Sequence, residues 1–131
     1  MQNVFSYLPE SLLLAFLAIT FLQSGWDKLI DWKGNLAWLT SHFKESPLHR
    51  LVPALLAVLL LFETLSGLLA VWGLVALLGD ANSKVATWAA AAACLTLLML
   101  LFGQRVAKDY DGARTIVIYF MPAVFLLYLL T

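Results

Sequence analysis

The sequence predicts an all-α integral membrane protein: an antiparallel four-helix bundle with a short amphipathic interfacial helix between helices one and two. Three observations point there. The 131 residues are 63% hydrophobic and 12% charged, with a mean hydropathy of +0.89. An ordinary soluble domain is about 45–50% apolar and about 25% charged, so polar surface is too scarce here to coat a soluble monomer. Four apolar runs approach the ~20 residues that cross a bilayer as a helix. The basic residues gather on one side of those runs.

The length suits a single domain, and so much apolar surface excludes disorder. Eight basic residues balance eight acidic ones, which argues against nucleic acid as a partner. Cys94 is the single cysteine. It provides no intrachain disulfide and no cysteine metal cluster.

The runs are expected as helices because backbone amides in hydrocarbon must bond within their own segment. The short alternating segments of a membrane β-barrel are absent. The first run is Leu12–Ile30. No Lys or Arg precedes Lys28, and no small-residue cleavage site is visible. It is therefore expected to stay as a span and not to act as a signal peptide. The second, Leu51–Leu78, would be ~42 Å long as a straight helix against a ~30 Å core, so it should tilt or emerge, with Trp72 and Gly73 as candidate interface markers. Pro53 falls in its first turn, and Ser46-Pro47 is a start signal just upstream. The third run is Val85–Phe102. The fourth is Ala113–Leu130, where Pro122 removes the bond to the Ile118 carbonyl and should kink the helix.

Lys28, Lys33, Lys44 and Arg50 flank the first connection, and Arg105, Lys108 and Arg114 flank the third; Lys84 stands alone in the second. This bias places connections one and three in the cytoplasm and both termini outside. Within the first connection Trp32, Leu36, Leu39 and Phe43 recur at helical spacing. Two forms fit: an amphipathic helix in the headgroup layer, or an apolar stripe packed on the end of the bundle.

Glu63 is the most informative residue. It lies twelve residues into the second run, or ~18 Å along the axis. A charged carboxylate at that depth costs at least ~2.5 kcal/mol, so it should face the other helices. One reading is a proton-handling or ligand-binding group; the other is interhelical glue. Glu63, Ser66, Gly67, Ala70 and Gly73 share a face of small residues, and Ala89–Ala93 with Cys94 could oppose it. Cys94 is expected to be inert.

A second polar set falls at the basic ends: Gln23, Asp27 and Asp31 form an i,i+4,i+8 stripe on helix one with Lys28 adjacent, and Gln104, Arg105, Lys108 and Asp109 directly follow run three. Arg105 and Asp109 have i,i+4 spacing. Asp27 with Arg105 or Lys108, and Lys28 with Asp109, are candidate partners in an ion-paired belt. Asp111 is a candidate N-cap for the fourth helix. A quinone headgroup is the competing occupant. Gln104, Arg105, Tyr110 and Tyr119 are suitable types to hold it, with Trp26 at the entrance. His42 and His49 lack metal-ligand spacing, and a haem between the spans would want histidines within them. No catalytic set, phosphate loop or zinc motif appears.

Three stretches resemble the DoxX-like family of small bacterial membrane proteins: FLQSGWDKLIDW at 21–32, LFETLSGLL at 62–70, and GQRVAKDYDGARTIVIYF at 103–120. The resemblance picks out Gly25, Lys28, Glu63, Gly67, Gln104, Arg105, Lys108, Asp109, Tyr110, Gly112 and Ala113. It implies a four-helix bundle in the bacterial cytoplasmic membrane. It also implies association with membrane redox systems, a thiosulfate:quinone oxidoreductase among them. Related four-helix proteins that shuttle disulfides use cysteine pairs. With one cysteine this chain cannot, so a redox role needs a bound quinone or a partner that carries the centre.

Two functions follow as expectations. One is an accessory or quinone-interacting subunit of a membrane redox system, without autonomous activity. The other is a non-catalytic assembly component that docks other membrane subunits or a second copy. Transport ranks last, since no span is discontinuous.

Overall fold

A computed structural model describes residues 5–131. Those residues form five helices: α1 Leu8–Ile30, α2 Trp32–His42, α3 Val52–Asp80, α4 Lys84–Val106 and α5 Tyr110–Leu130, with a 3₁₀ turn at His49–Leu51. The fold is all-α. Four of the helices (α1, α3, α4 and α5) are long and apolar enough to cross a membrane, which fits a multi-pass membrane protein.

Each long helix extends beyond its apolar run because polar ends complete it. α1 starts at Leu8 with Pro9 in its first turn, where the missing N–H costs nothing. α3 runs on past Trp72 and Gly73 to Asp80, and Ala81 closes it in the left-handed conformation at φ 53°. α4 ends in a Schellman turn. Lys108 adopts φ 60°, its N–H donates to the Arg105 carbonyl, and the Asp109 N–H donates to the Gln104 carbonyl. α5 continues through Pro122. Its N-cap is Asp109, whose carboxylate accepts from the Gly112 N–H at 2.9 Å. Asp111, the expected cap, lies instead in the first turn beside Arg114. The cap falls two residues earlier because the Schellman turn leaves Asp109 as the last residue before the new helix.

The long helices pack in sequence, α1 on α3, α3 on α4 and α4 on α5, with a smaller contact returning from α5 to α1. Leu14, Leu17 and Phe21 of α1, Ala70 and Leu77 of α3, an alanine row on α4, and Ala123 and Leu126 of α5 form the core. Small residues set the spacing. A Cβ on Gly73 would stand 2.7 Å from the Ala86 Cα, and one on Gly67 would stand 2.7 Å from the Leu22 side chain. The backbones therefore approach more closely than any larger residue permits. Gly73 is thus a packing position between α3 and α4.

Leu22 meets Gly67, and Gly25 meets Thr64. Extended along both helices, this register sets Ile30 level with about residue 59 and leaves roughly 10 Å of α3 beyond the end of α1. α2 fills that step. It contacts α1 and α3, and Phe43 beyond its end reaches Gly103 of α4. The Leu39 and Phe43 end of the apolar stripe thus packs on α3 and α4. α2 also leaves Lys33, Trp38, Thr40 and Ser41 exposed.

Gly73→Ala should lower the melting temperature in mild detergent by an amount matching about 1–3 kcal/mol of overpacking. Gly79→Ala, whose new methyl group meets nothing within 4 Å, should leave it unchanged or raise it. Equal melting of the two variants would contradict the close approach of α3 and α4.

Candidate functional site

Two polar clusters are built into the apolar framework. The first joins α1 to α3. Ser24 and Lys28 are one helical turn apart on α1, so their side chains leave the same face. Both point at Glu63, which is 2% exposed. The Ser24 hydroxyl donates to Glu63 Oε2 at 2.9 Å, and Lys28 Nζ lies 3.1 Å from Oε2 and 3.3 Å from Oε1. Lys28 also donates to Ser24 Oγ at 2.7 Å, which closes a triangle. Each carboxylate oxygen therefore has a donor, as a charge so removed from water requires. One turn further along α3, Ser66 Oγ and Thr96 Oγ1 are 3.1 Å apart and tie α3 to α4.

The second cluster joins α2 to the α4–α5 turn. His42 Nε2 lies 3.2 Å from Gln104 Oε1 and 3.4 Å from Asp109 Oδ2. A single N–H there serves both acceptors. The imidazole stacks on Trp38 with centroids 4.6 Å apart, and Phe43 meets its edge. Asp109 thus does two tasks: one oxygen caps α5 and the other faces His42. Lys108 holds the left-handed φ that brings Asp109 there.

An apolar groove leads up to this second cluster. Leu39 and Phe43 form one wall, Leu55, Leu56 and Leu59 of α3 the other, and Gln104 stands in the lining beside Leu100. The groove continues along Leu55, Leu59 and Leu100 to a shallower stretch edged by Val58, Met99 and Phe102. It is open on its side, and Val58 and Phe102 are exposed.

The sequence-predicted residues separate into distinct places. Glu63 and Lys28 are together, and Gln104 and Asp109 are together. Lys28 pairs with Glu63 and not with Asp109, whose partner is His42. Asp27 is exposed and pairs with neither Arg105 nor Lys108 among the described residues. The i,i+4 pair Arg105–Asp109 does not form because α4 stops at Val106, so the spacing no longer describes a helix. Arg105 instead lies over the Tyr110 ring at 5.0 Å, on the surface. Tyr119 is roughly 13 Å further along α5 than Tyr110 and stacks on Phe16 of α1. Trp26 is exposed on α1. Sequence reasoning missed Ser24 and His42. The i,i+4 spacing of Ser24 and Lys28 could have flagged the first. Nothing in the sequence connects His42 to residues sixty positions later. No group of three or more metal-ligating side chains occurs among the described residues.

Lys28→Ala should destabilise the protein by about 3 kcal/mol, because it strands the Glu63 carboxylate. Lys28→Met combined with Glu63→Leu should recover most of that loss. Unfolding in mixed detergent micelles measures both, and a Lys28→Ala variant as stable as the parent would show that the pair does not hold α1 to α3. At the second cluster, Asp109→Ala should cost roughly 1 kcal/mol through the lost cap, and Asp109→Asn should keep the cap. Equal losses in the two variants would assign the effect to the charge facing His42.

Comparison of the chain with protein-family models, with characterised proteins and with solved structures finds no match.

Proposed function

We propose that this chain is a DoxX-like membrane protein of the bacterial cytoplasmic membrane, an accessory subunit of a redox system that holds a quinone. In this reading α1, α3, α4 and α5 form an antiparallel bundle with both termini outside. The orientation is supported by seven of the eight Lys and Arg residues flanking connections one and three. The antiparallel arrangement is supported by the Leu22–Gly67 and Gly25–Thr64 contacts, whose numbering rises on α1 and falls on α3.

The observation that carries the quinone reading is the side-opening apolar groove that ends at Gln104. A quinone needs an apolar channel for its tail, a lateral entrance from lipid and a donor to a ring carbonyl. The groove offers the first two. Gln104 accepts from His42 through Oε1, which leaves its amide N–H groups as donors. His42, which also faces Asp109, holds the Gln104 amide in place from behind. Glu63 is outside this role, since Ser24 and Lys28 occupy its oxygens. Electrons would come from a partner protein's redox centre.

A second reading, an assembly subunit without a ligand, is favoured by α5. Ile118, Met121, Phe125 and Tyr128 are exposed along it, and only Ala113, Ala123 and Leu126 are buried. Such a face accepts lipid, a partner span or a second copy.

Trp38 provides a reporter, because it stacks on the imidazole bonded to Gln104. A short-chain quinone titrated into the protein in nanodiscs should quench tryptophan fluorescence saturably. Gln104→Leu should weaken binding roughly three- to tenfold through the lost donor. Leu55→Trp should fill the groove and abolish it. Quenching that does not saturate, or that both variants leave unchanged, would leave the assembly reading standing.

A further inference from the structure

The outward side of α2 carries a second groove, separate from the one that ends at Gln104. Lys33 and Lys44 stand toward its two ends, His49 joins Lys44 from the 3₁₀ turn, and Leu36 and Ala37 form an apolar floor beside Ser41. No acid lines it. Glu45 lines the neighbouring cleft. The ion pairs among the described residues use Lys28, His42 and Arg114, so Lys33 and Lys44 have no carboxylate partner. Thr40 spends its hydroxyl on the Leu36 carbonyl at 2.7 Å, which leaves Ser41 as the free hydroxyl of the stripe.

The place of this groove decides its occupant. It lies on α2, which also bears Trp32 and the exposed Trp38, beside the ends of the membrane-length helices where most of the basic residues fall. Aromatic rings and unpaired lysines around an apolar floor match the headgroup layer, where phosphates meet acyl chains. The spacing narrows the choice. Lys33 lies in the first turn of α2 and Lys44 two residues beyond its end, which sets them roughly 15 Å apart along the axis. A single phosphate meets both only if the two side chains stretch fully toward each other along the helix, which costs both of them rotamer freedom, whereas two phosphates each meet one lysine without that.

We propose that the α2 groove binds a phospholipid with two phosphates in one headgroup, a diphosphatidylglycerol. One phosphate is held at Lys33 and the other at Lys44 with His49 and Ser41. The acyl chains run over Leu36 and Ala37 into the bilayer. The lipid would sit on the outer side of the helix that closes the quinone groove, but its binding does not depend on the quinone reading.

Native mass spectrometry of the detergent-released protein, with diphosphatidylglycerol, phosphatidylglycerol and phosphatidylcholine added at equal phosphate, tests this. The expected order of retention is diphosphatidylglycerol, then phosphatidylglycerol, then phosphatidylcholine. Lys33→Gln and Lys44→Gln should each weaken diphosphatidylglycerol binding about fivefold, and together about thirtyfold. Both positions are exposed, so the fold should survive. Lys33→Arg with Lys44→Arg should keep the binding. Lys84→Gln, an equal charge change at the other end of the helices, should leave it unaltered. Retention that does not distinguish one phosphate from two, or that the double glutamine variant preserves, would overturn the proposal. So would displacement by inorganic pyrophosphate at the lipid's own concentration, which would mark an anion site without a lipid.

Discussion

A carboxylate surrounded by apolar helices can stay charged only if donors reach it, and the placement of Glu63 follows from that constraint. Ser24 and Lys28 meet it from α1, which fixes how far α1 slides along α3. The same register seats Leu22 over Gly67 and Thr64 over Gly25. Because Ser24 and Lys28 lie in the last two turns of α1, α1 stops short while α3 continues. The first turns of α3 would otherwise stand uncovered, and α2 lies there. One buried charge pair thus sets the step at the basic end into which α2 fits.

The far end of α2 needs its own fastening, because nothing in the helix is fully buried. His42 supplies it by reaching Gln104 and Asp109 across the α4–α5 turn. That turn is shaped to receive it. The left-handed Lys108 brings Asp109 out of the path of α4 and into the cap of α5. The polar contacts that shape the chain therefore concentrate toward the basic end. The opposite half is held mainly by close packing of alanine, glycine and leucine. Both grooves lie at α2, one between it and α3 and the other on its outer side.

Four long helices and their approximate limits were legible in the sequence because apolar length is a local property. So was the need of Glu63 for a protein-facing position. The small-residue face around Gly67 and Gly73 was legible from spacing. The helix ends were less so. The runs underestimated α1 and α4 by about one turn because polar residues continue a helix once it is nucleated. The cap at Asp109 was hidden because it depends on a left-handed lysine, and lysine carries no preference for that conformation.

The sequence by itself determined the helical class, the membrane-length spans and the presence of a buried acid, since each depends on residues adjacent in the chain. Only the tertiary structure decided which charges meet. From the sequence, Lys28 was matched with Asp109 and Asp27 with Arg105 or Lys108, because all lie near the same ends. In the fold, axial position and facing separate them. Lys28 faces inward to Glu63, Asp27 faces outward, and a histidine from the connecting helix takes Asp109. Pairing depends on the relative slide and rotation of helices, at which the buried charge pair and the Leu22–Gly67 contact agree and which periodicity along a single helix does not encode.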